Sequence, residues 1–112
     1  MHLNSELLFK KYALSHFHPH TKVLEVGPDA HPTTYQRIVN DPTLGWETLD
    51  INPSSHSTYL AKSDYAFPLH DESFDVVISG QTIEHVKKIW IWIKEVARVC
   101  KRGGIVITIN PV

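Results

Sequence analysis

Short apolar segments that alternate with helix-like segments constrain the fold of this chain more than any other feature. Lys22–Val26, residues 74–79 and residues 105–110 are rich in Val and Ile and too short to be buried helices, so they are predicted strands. Residues 46–51 and 58–62 are two further strand candidates. Strands that alternate with helices favour an α/β fold with a mainly parallel sheet and crossover helices.

Three segments have helical patterns. They are residues 5–17, with Ser5 as a candidate N-cap, residues 32–40, and residues 86–102, which Gly103–Gly104 is expected to end. Only about seven residues join the second and third predicted strands, whereas a parallel crossover usually needs about a dozen. Either this crossover helix is reduced to a turn, or the third strand is misplaced.

Length and composition are those of a single globular domain that spans residues 1–112. The net charge of -1 argues against a broad surface for nucleic acid or an anionic membrane. Cys100 has no second cysteine to pair with, which fits a reducing compartment. The sequence has no run of about 18 apolar residues and no uninterrupted apolar segment near its start. We therefore expect no membrane span, no secretory signal and a cytoplasmic location.

Two residues at predicted strand ends suggest a site for a nucleotide-like cofactor. Gly27 follows the first strand and lacks a Cβ, so a ligand can approach its backbone closely. Asp50 ends the second strand, where a carboxylate can accept hydrogen bonds from both hydroxyls of a ribose. In open parallel sheets, ligands bind beyond the carboxyl ends of the strands. The same residues also fit a simple turn and a solvated strand end.

The segment from Ser63 to Val86 adds candidate groups for the same crevice. Asp64 can accept a hydrogen bond from an adenine amine, and the backbone N–H of Tyr65 or Ala66 can meet a ring nitrogen. The residues that can form an apolar wall for a flat ring are Phe67, Pro68 and Leu69. The alternative is a surface loop that precedes a core strand.

Four segments follow one another along the chain: VLEVGPD, LDI, SDYAFPLHDESFDVVISGQTIEHV and ARVCKRGGIVITI. Together, from Lys22 to Asn110, they resemble the class I S-adenosylmethionine-dependent methyltransferases, and most closely the small-molecule, type 11-like group. The resemblance implies a Rossmann-like open sheet with flanking helices, in which five strands are present and the last two of seven are absent. It implies methyl transfer to an unidentified small-molecule acceptor, with S-adenosylmethionine as cofactor and S-adenosylhomocysteine as product.

The resemblance also implies which residues bind the cofactor. The matching positions are Glu25, Gly27, Pro28, Asp29, Asp50, Ile51, Asp64, Tyr65, Ser79, Gly80 and Gln81. Glu25 and Gly27 match the acid and the first glycine of the motif that holds the methionine end, and Pro28 and Asp29 follow in the same turn. Asp50 and Ile51 match the ribose and adenine positions, and Asp64 and Tyr65 match the adenine position. The last three match the segment beside the methionine amino group. Glu84 and His85 match the start of a helix beside the acceptor pocket, and no catalytic residue is assigned.

The first motif departs from the family pattern, because Asp29 and His31 stand where later glycines of G-x-G-x-G would be. This departure keeps open a degenerate or truncated domain that binds cofactor or a protein partner without catalysis. A nicotinamide-binding oxidoreductase is a second alternative, although no G-x-G-x-x-G follows the first strand. Alternating histidines at positions 16, 18 and 20 could also hold a metal, but no cysteine or acidic cluster completes a shell. We predict no metal site.

The last predicted strand, from Ile105 to Asn110, is expected to form an exposed apolar edge of the sheet. Exposed edges are prone to pair with other chains. Either the chain is a fragment, or a homodimer covers this edge. A second candidate contact is the surface of the long helix around Trp90 and Trp92.

Overall fold

A computed structural model describes residues 3–53, 56–80 and 82–110. Its five strands are β1 (Lys22–Val26), β2 (Gly45–Asp50), β3 (Tyr59–Leu60), β4 (Phe74–Gly80) and β5 (Cys100–Ile109). They form one sheet in the order β3-β2-β1-β4-β5, and every neighbouring pair is parallel. The predicted α/β class with a Rossmann-like open sheet is therefore confirmed.

The third strand is short but correctly predicted. Leu49 and Asp50 of β2 pair in parallel with Tyr59 and Leu60 of β3. Just before β3, the backbone N–H of Thr58 donates to the Thr48 hydroxyl at 2.9 Å. The described parts of the connection between β2 and β3, residues 51–53 and 56–58, contain no helix.

Helices cover both faces of the sheet. Helix α1 (Leu3–Leu8) continues as a π-helical turn (Phe9–Ala13) and a 3-10 turn (Leu14–His16), and it shares one face with α2 (Thr34–Val39). Helix α3 (Ile89–Val99) covers the other face. None of the helices in the described part of the chain is both long enough and apolar enough to cross a membrane.

Side chains of β1 alternate between the two faces, as the pleat of a strand requires. Leu24 and Val26 pack on the face that α3 covers, and Val23 packs on the face that α1 and α2 cover. The alternation therefore places Glu25 on the face that α1 and α2 cover, where it is only 1% exposed. A titratable group lies in the core next to the carboxyl end of β1.

The predictions for α1 are partly wrong. Ser5 is not an N-cap, because it lies inside the helix, where its side chain is buried. Phe9 and Ala13 share its face at a spacing of four residues, so this row packs inward. The residues on other faces that remain exposed include Leu7, Leu8 and Tyr12.

The segment predicted as a helix over residues 86–102 contains a shorter helix followed by a strand. Cys100 is already extended and pairs with Phe74, so β4 draws the chain into the sheet before Gly103. Gly103 and Gly104 do not end the helix. They lie within β5, at a register shift opposite the segment between Phe74 and Val76.

The buried face of α3 includes Trp92, which is fully buried. The suggestion that Trp92 contributes to a partner surface is therefore wrong, because its ring lies in the core. Trp90, by contrast, is 59% exposed.

Strand β5 lies at one edge of the sheet and pairs only with β4 among the described strands. The predicted exposed edge is therefore confirmed.

Candidate functional site

A shallow crevice lies beyond the carboxyl ends of β1 and β2, as expected for an open parallel sheet. The residues that line it are Val26, Gly27, Leu49, Asp50, Ile51, Ala61, Ser63, Asp64, Phe67 and Thr82. The crevice therefore brings together four predicted site residues from three separate segments. Its volume is only about 30 Å³, far below the roughly 300 Å³ of small ligand pockets, so a bound nucleoside requires the crevice to widen.

Gly27 is the residue for which glycine matters most at this crevice. Its φ of 73° lies in the left-handed region that side chains disfavour, and its N–H donates to the Leu49 carbonyl at 2.8 Å. A Cβ at this position would collide with Oγ1 of Thr82. Thr82 is itself held by two long hydrogen bonds of 3.4 Å, to the carbonyls of Val26 and Gly80.

Asp50 and Asp64 both face the crevice, as their predicted roles require. Oδ1 of Asp50 accepts hydrogen bonds from the backbone N–H groups of Ile51 at 2.8 Å and Asn52 at 3.4 Å. These bonds fix the carboxylate at the rim, next to the half-exposed Ile51 side chain. Asp64 is half-buried on the opposite segment. The two acids thus belong to one depression rather than to separate surfaces.

Tyr65 is placed differently from its neighbour Asp64. Its backbone N–H donates to Oγ of Ser63 at 3.1 Å, and its hydroxyl accepts from the N–H of Lys88 at 3.1 Å. It does not line the crevice. Tyr65 therefore joins the loop after β3 to the segment that precedes α3, while Ser63 and Asp64 line the crevice.

Helix α3 holds the apolar wall of the crevice in place. The N–H of Phe67 donates to Glu95 at 2.8 Å, and Arg98 donates to the carbonyls of Phe67 at 3.1 Å and Leu69 at 2.8 Å. Hydrogen bonds to Glu95 and Asp71 raise the pKa of the Arg98 guanidinium, so it stays charged. The sequence analysis did not identify this anchor, because charged side chains are mostly exposed and nothing local indicates which loop Arg98 contacts.

Glu25 lies under the carboxyl end of β1, on the face covered by α2. Oε1 accepts a hydrogen bond from the indole N–H of Trp46 at 3.2 Å. Burial raises the pKa of Glu25 to about 7, and the nearby charge of Asp29 acts in the same direction, whereas hydrogen bonds from Thr33 and Trp46 oppose the rise. The carboxyl group can therefore exchange a proton near neutral pH.

Asp29 is turned away from the crevice and toward α2. Its carboxylate accepts the backbone N–H of Thr34 at 3.0 Å and also the Thr34 hydroxyl. Partial burial disfavours the charged form, but these hydrogen bonds outweigh it and lower the pKa of Asp29. The residue stabilises the start of α2, and neither it nor Pro28 lines the crevice.

Ser79 and Gly80 bring the end of β4 against β1 and α2. The Ser79 hydroxyl is buried and donates to the carbonyl of Val26 at 2.9 Å. Gly80 packs on the ring of Tyr35, since a Cβ added there would lie 2.7 Å from Cε2. Gln81 lies outside the described residues. Tyr35 carries no signal in the sequence that marks it as part of this region.

The remaining candidates lie on the surface. Glu84 and His85 occupy a 3-10 turn (Ile83–His85), where Oε1 of Glu84 and Nε2 of His85 are 3.6 Å apart. His16 ends the 3-10 turn after α1, and His18 and His20 follow in the loop before β1. Among the residues that the structure describes, no group of three or more His, Cys, Asp or Glu side chains could hold a metal ion.

Comparison with known proteins identifies the family. Residues 40–108 match the family described as Methyltransferase domain. A curated relative, an uncharacterized methyltransferase of Mycobacteroides abscessus, is 41% identical over 51 residues, which are 46% of this chain and 20% of that protein. The chain thus spans one fifth of that relative's length.

Solved structures share the fold at low sequence identity. One is a putative methyltransferase of Haloferax volcanii in complex with the Trm112 methyltransferase activator, at 22% identity and a TM-score of 0.69, covering 90% of this chain and 50% of that one. Another is the trans-methyltransferase CalH in complex with S-adenosylhomocysteine, at 17% identity and a TM-score of 0.63, covering 80% and 32%. Together with the family match, these findings mean that the chain belongs to the methyltransferase domain family and has the fold of the class I S-adenosylmethionine-dependent enzymes.

Proposed function

We propose that this chain binds S-adenosylmethionine and forms part of an enzyme that transfers its methyl group to a small-molecule acceptor. One observation carries the proposal: Gly27, Asp50 and Asp64, from three segments distant in sequence, line a single crevice at the carboxyl ends of the strands. Membership of the methyltransferase domain family supports the same reading. So does the S-adenosylhomocysteine complex of CalH, whose fold this chain shares.

The residues present fit the chemical groups of this cofactor. Asp50 would accept hydrogen bonds from the ribose hydroxyls, Asp64 would accept from the adenine amine, and Phe67 would contact the ring. Gly27 leaves room for the backbone to approach the ligand, because a Cβ there would fill the space that Thr82 borders. Glu25 would oppose the positive amino group at the methionine end.

The protein's part in methyl transfer would be alignment and exclusion of water rather than acid–base chemistry. The sulfonium centre of the cofactor supplies an electrophile with a good leaving group. Strand ends that hold the adenosyl group rigidly would fix the donor for in-line displacement by the acceptor. Glu84 and His85 lie on the turn that follows β4, where they would border an acceptor. No general base is assigned.

Calorimetric titration with S-adenosylhomocysteine tests the proposal. Asp50→Asn should weaken binding by about ten-fold or more, because a charge-assisted pair of hydrogen bonds is lost. Asp41→Asn is the matched control: Asp41 accepts from Thr43 in an exposed turn before β2 and should not affect binding. Equal affinity of the Asp50 variant and the wild type would refute the assignment of the ribose site.

Measurements of methyl transfer and of NAD binding distinguish two alternatives. A degenerate domain would bind S-adenosylhomocysteine but transfer no methyl group to any acceptor in the presence of S-adenosylmethionine. A nicotinamide-binding domain would bind NAD instead of either adenosyl ligand. A folded protein that binds none of these three ligands would contradict the proposed function.

We also propose that the edge formed by β5 associates with a second copy of the chain. A groove of about 530 Å³ lies between α1 and β5, and its walls include Leu8, Tyr12 and Val106. These three side chains are 47%, 62% and 38% exposed, which is unfavourable for apolar groups in water. Two β5 edges related by a two-fold axis would pair antiparallel and cover both grooves. A protein partner, such as the activator bound to the Haloferax volcanii relative, is the competing occupant.

A further inference from the structure

The hydroxyl of Tyr35 is buried without a hydrogen-bond partner among the described residues. Tyr35 is 3% exposed, and its ring contacts Phe9 with centroids 4.6 Å apart. Buried polar groups are nearly always hydrogen-bonded, because an unpaired one loses the hydration it had in the unfolded chain. A phenylalanine would pack the same ring without this cost. The hydroxyl therefore requires an explanation other than core packing.

The position of this hydroxyl points to a ligand. A Cβ on Gly80 would collide with the Tyr35 oxygen, so the hydroxyl lies directly against the end of β4. Glu25 lies close enough to Tyr35 for its negative charge to raise the pKa of the Tyr35 hydroxyl. The negative charges of Asp29 and Glu6 also raise this pKa. The hydroxyl thus lies at the end of β4, in surroundings that carry negative charge. It does not line the crevice, so a ligand reaches it only when the crevice widens.

The sign of this charge selects the kind of group that can bind. A ligand carboxylate near Tyr35 would be repelled by Glu25 and Asp29, whereas a ligand ammonium would be attracted. The phenolic oxygen can accept a hydrogen bond from an ammonium N–H. One amino group could therefore satisfy the Tyr35 oxygen and compensate the buried charge of Glu25 together.

We propose that Tyr35 is a ligand-binding residue whose hydroxyl accepts a hydrogen bond from the α-ammonium group of the cofactor's amino-acid end. The inference rests on the proposed function and deepens it, because it assigns recognition of the amino-acid end to a side chain of α2. Tyr35 is then a specificity determinant: it distinguishes ligands that carry an amino-acid end from those that carry only the adenosyl group.

The test compares two ligands that differ in this end alone. S-adenosylhomocysteine carries the amino acid, whereas 5′-methylthioadenosine has the same thioadenosyl group without it. By calorimetry, Tyr35→Phe should weaken S-adenosylhomocysteine binding about ten-fold, the usual effect of a lost hydrogen bond to a charged group. Its affinity for 5′-methylthioadenosine should be unchanged, and its melting temperature should equal or exceed that of the wild type.

Tyr59→Phe is the matched control, because the Tyr59 hydroxyl donates to Glu47 at 2.5 Å, away from the crevice lining. It should leave both affinities unchanged. Equal loss of both ligands in Tyr35→Phe, no loss of either, or failure of the variant to fold would overturn the inference while leaving the proposed function intact. A wild-type protein that binds neither ligand would overturn both.

Discussion

Replacement of Glu25 by Gln should make the stability of the folded chain less dependent on pH. Burial raises the pKa of this carboxyl from its ordinary 4.5 to about 7. Because the folded pKa lies above the unfolded one, the stability associated with the protonated group is complete below pH 4.5 and is lost as the pH rises through 7. The full loss is about 3 kcal/mol, at 1.36 kcal/mol for each pH unit between the two pKa values.

Of this loss, about 2 kcal/mol falls between pH 5.5 and pH 8. Urea unfolding of the ligand-free protein at both pH values measures it. Glu25→Gln cannot ionise and retains an acceptor for the Trp46 indole. Relative to the free energy of unfolding of the wild type, that of the variant should therefore rise by about 2 kcal/mol between pH 5.5 and pH 8. Other titrating groups are common to both proteins and cancel in the difference.

Glu72→Gln, which removes an exposed carboxylate, is the control for the loss of one negative charge, and the gain over the wild type should be larger for Glu25→Gln. Parallel profiles for Glu25→Gln and the wild type, to within about 0.5 kcal/mol, would show that the Glu25 carboxyl ionises without difficulty in the folded state. The reasoning from burial would then be refuted.

Two further predictions concern the crevice and the sheet edge. Gly27→Ala should lower the free energy of unfolding by about 1–3 kcal/mol and abolish S-adenosylhomocysteine binding, because of its positive φ and the collision with Thr82. Gly45→Ala is its control, since a Cβ there meets nothing closer than 3.6 Å; equal effects of the two substitutions would contradict the argument. Light scattering at micromolar concentration should give a dimer for the wild type and for Trp90→Lys, and a monomer for Val106→Lys. A monomeric wild type would rule out self-association through β5.

The sequence predicted β1 and β4 well because these two interior strands are buried on both faces. Such strands are short continuous runs of Val, Ile and Leu, which are visible without knowledge of their neighbours. Lys22–Val26 was predicted with the bounds that the structure has, and the predicted start of β4 at Phe74 is also correct. Gly27 and Asp50 were identified as site candidates for the same reason, since each stands at the end of a recognisable strand.

Helix faces and helix ends were predicted less well. In α1, Leu7 and Leu8 are more hydrophobic than Ser5, yet Ser5 is the buried residue because the row it shares with Phe9 meets the sheet. Glycines near the end of a helical pattern are typical of C-caps, but Gly103 and Gly104 lie in β5. Pairing of Cys100 with Phe74 decides the end of α3, and this pairing partner is 26 residues away.

The sequence by itself determined the order of strands and helices, the residues at the strand ends and the family, because these depend on local patterns of apolar residues, glycines and acids. The tertiary structure decided which other side chains complete the site. Thr82 covers Gly27, Tyr35 lies against Gly80, and Arg98 holds the wall that contains Phe67. Each of these contacts joins segments far apart in the chain, so burial and charge at the site arise only when the sheet brings them together.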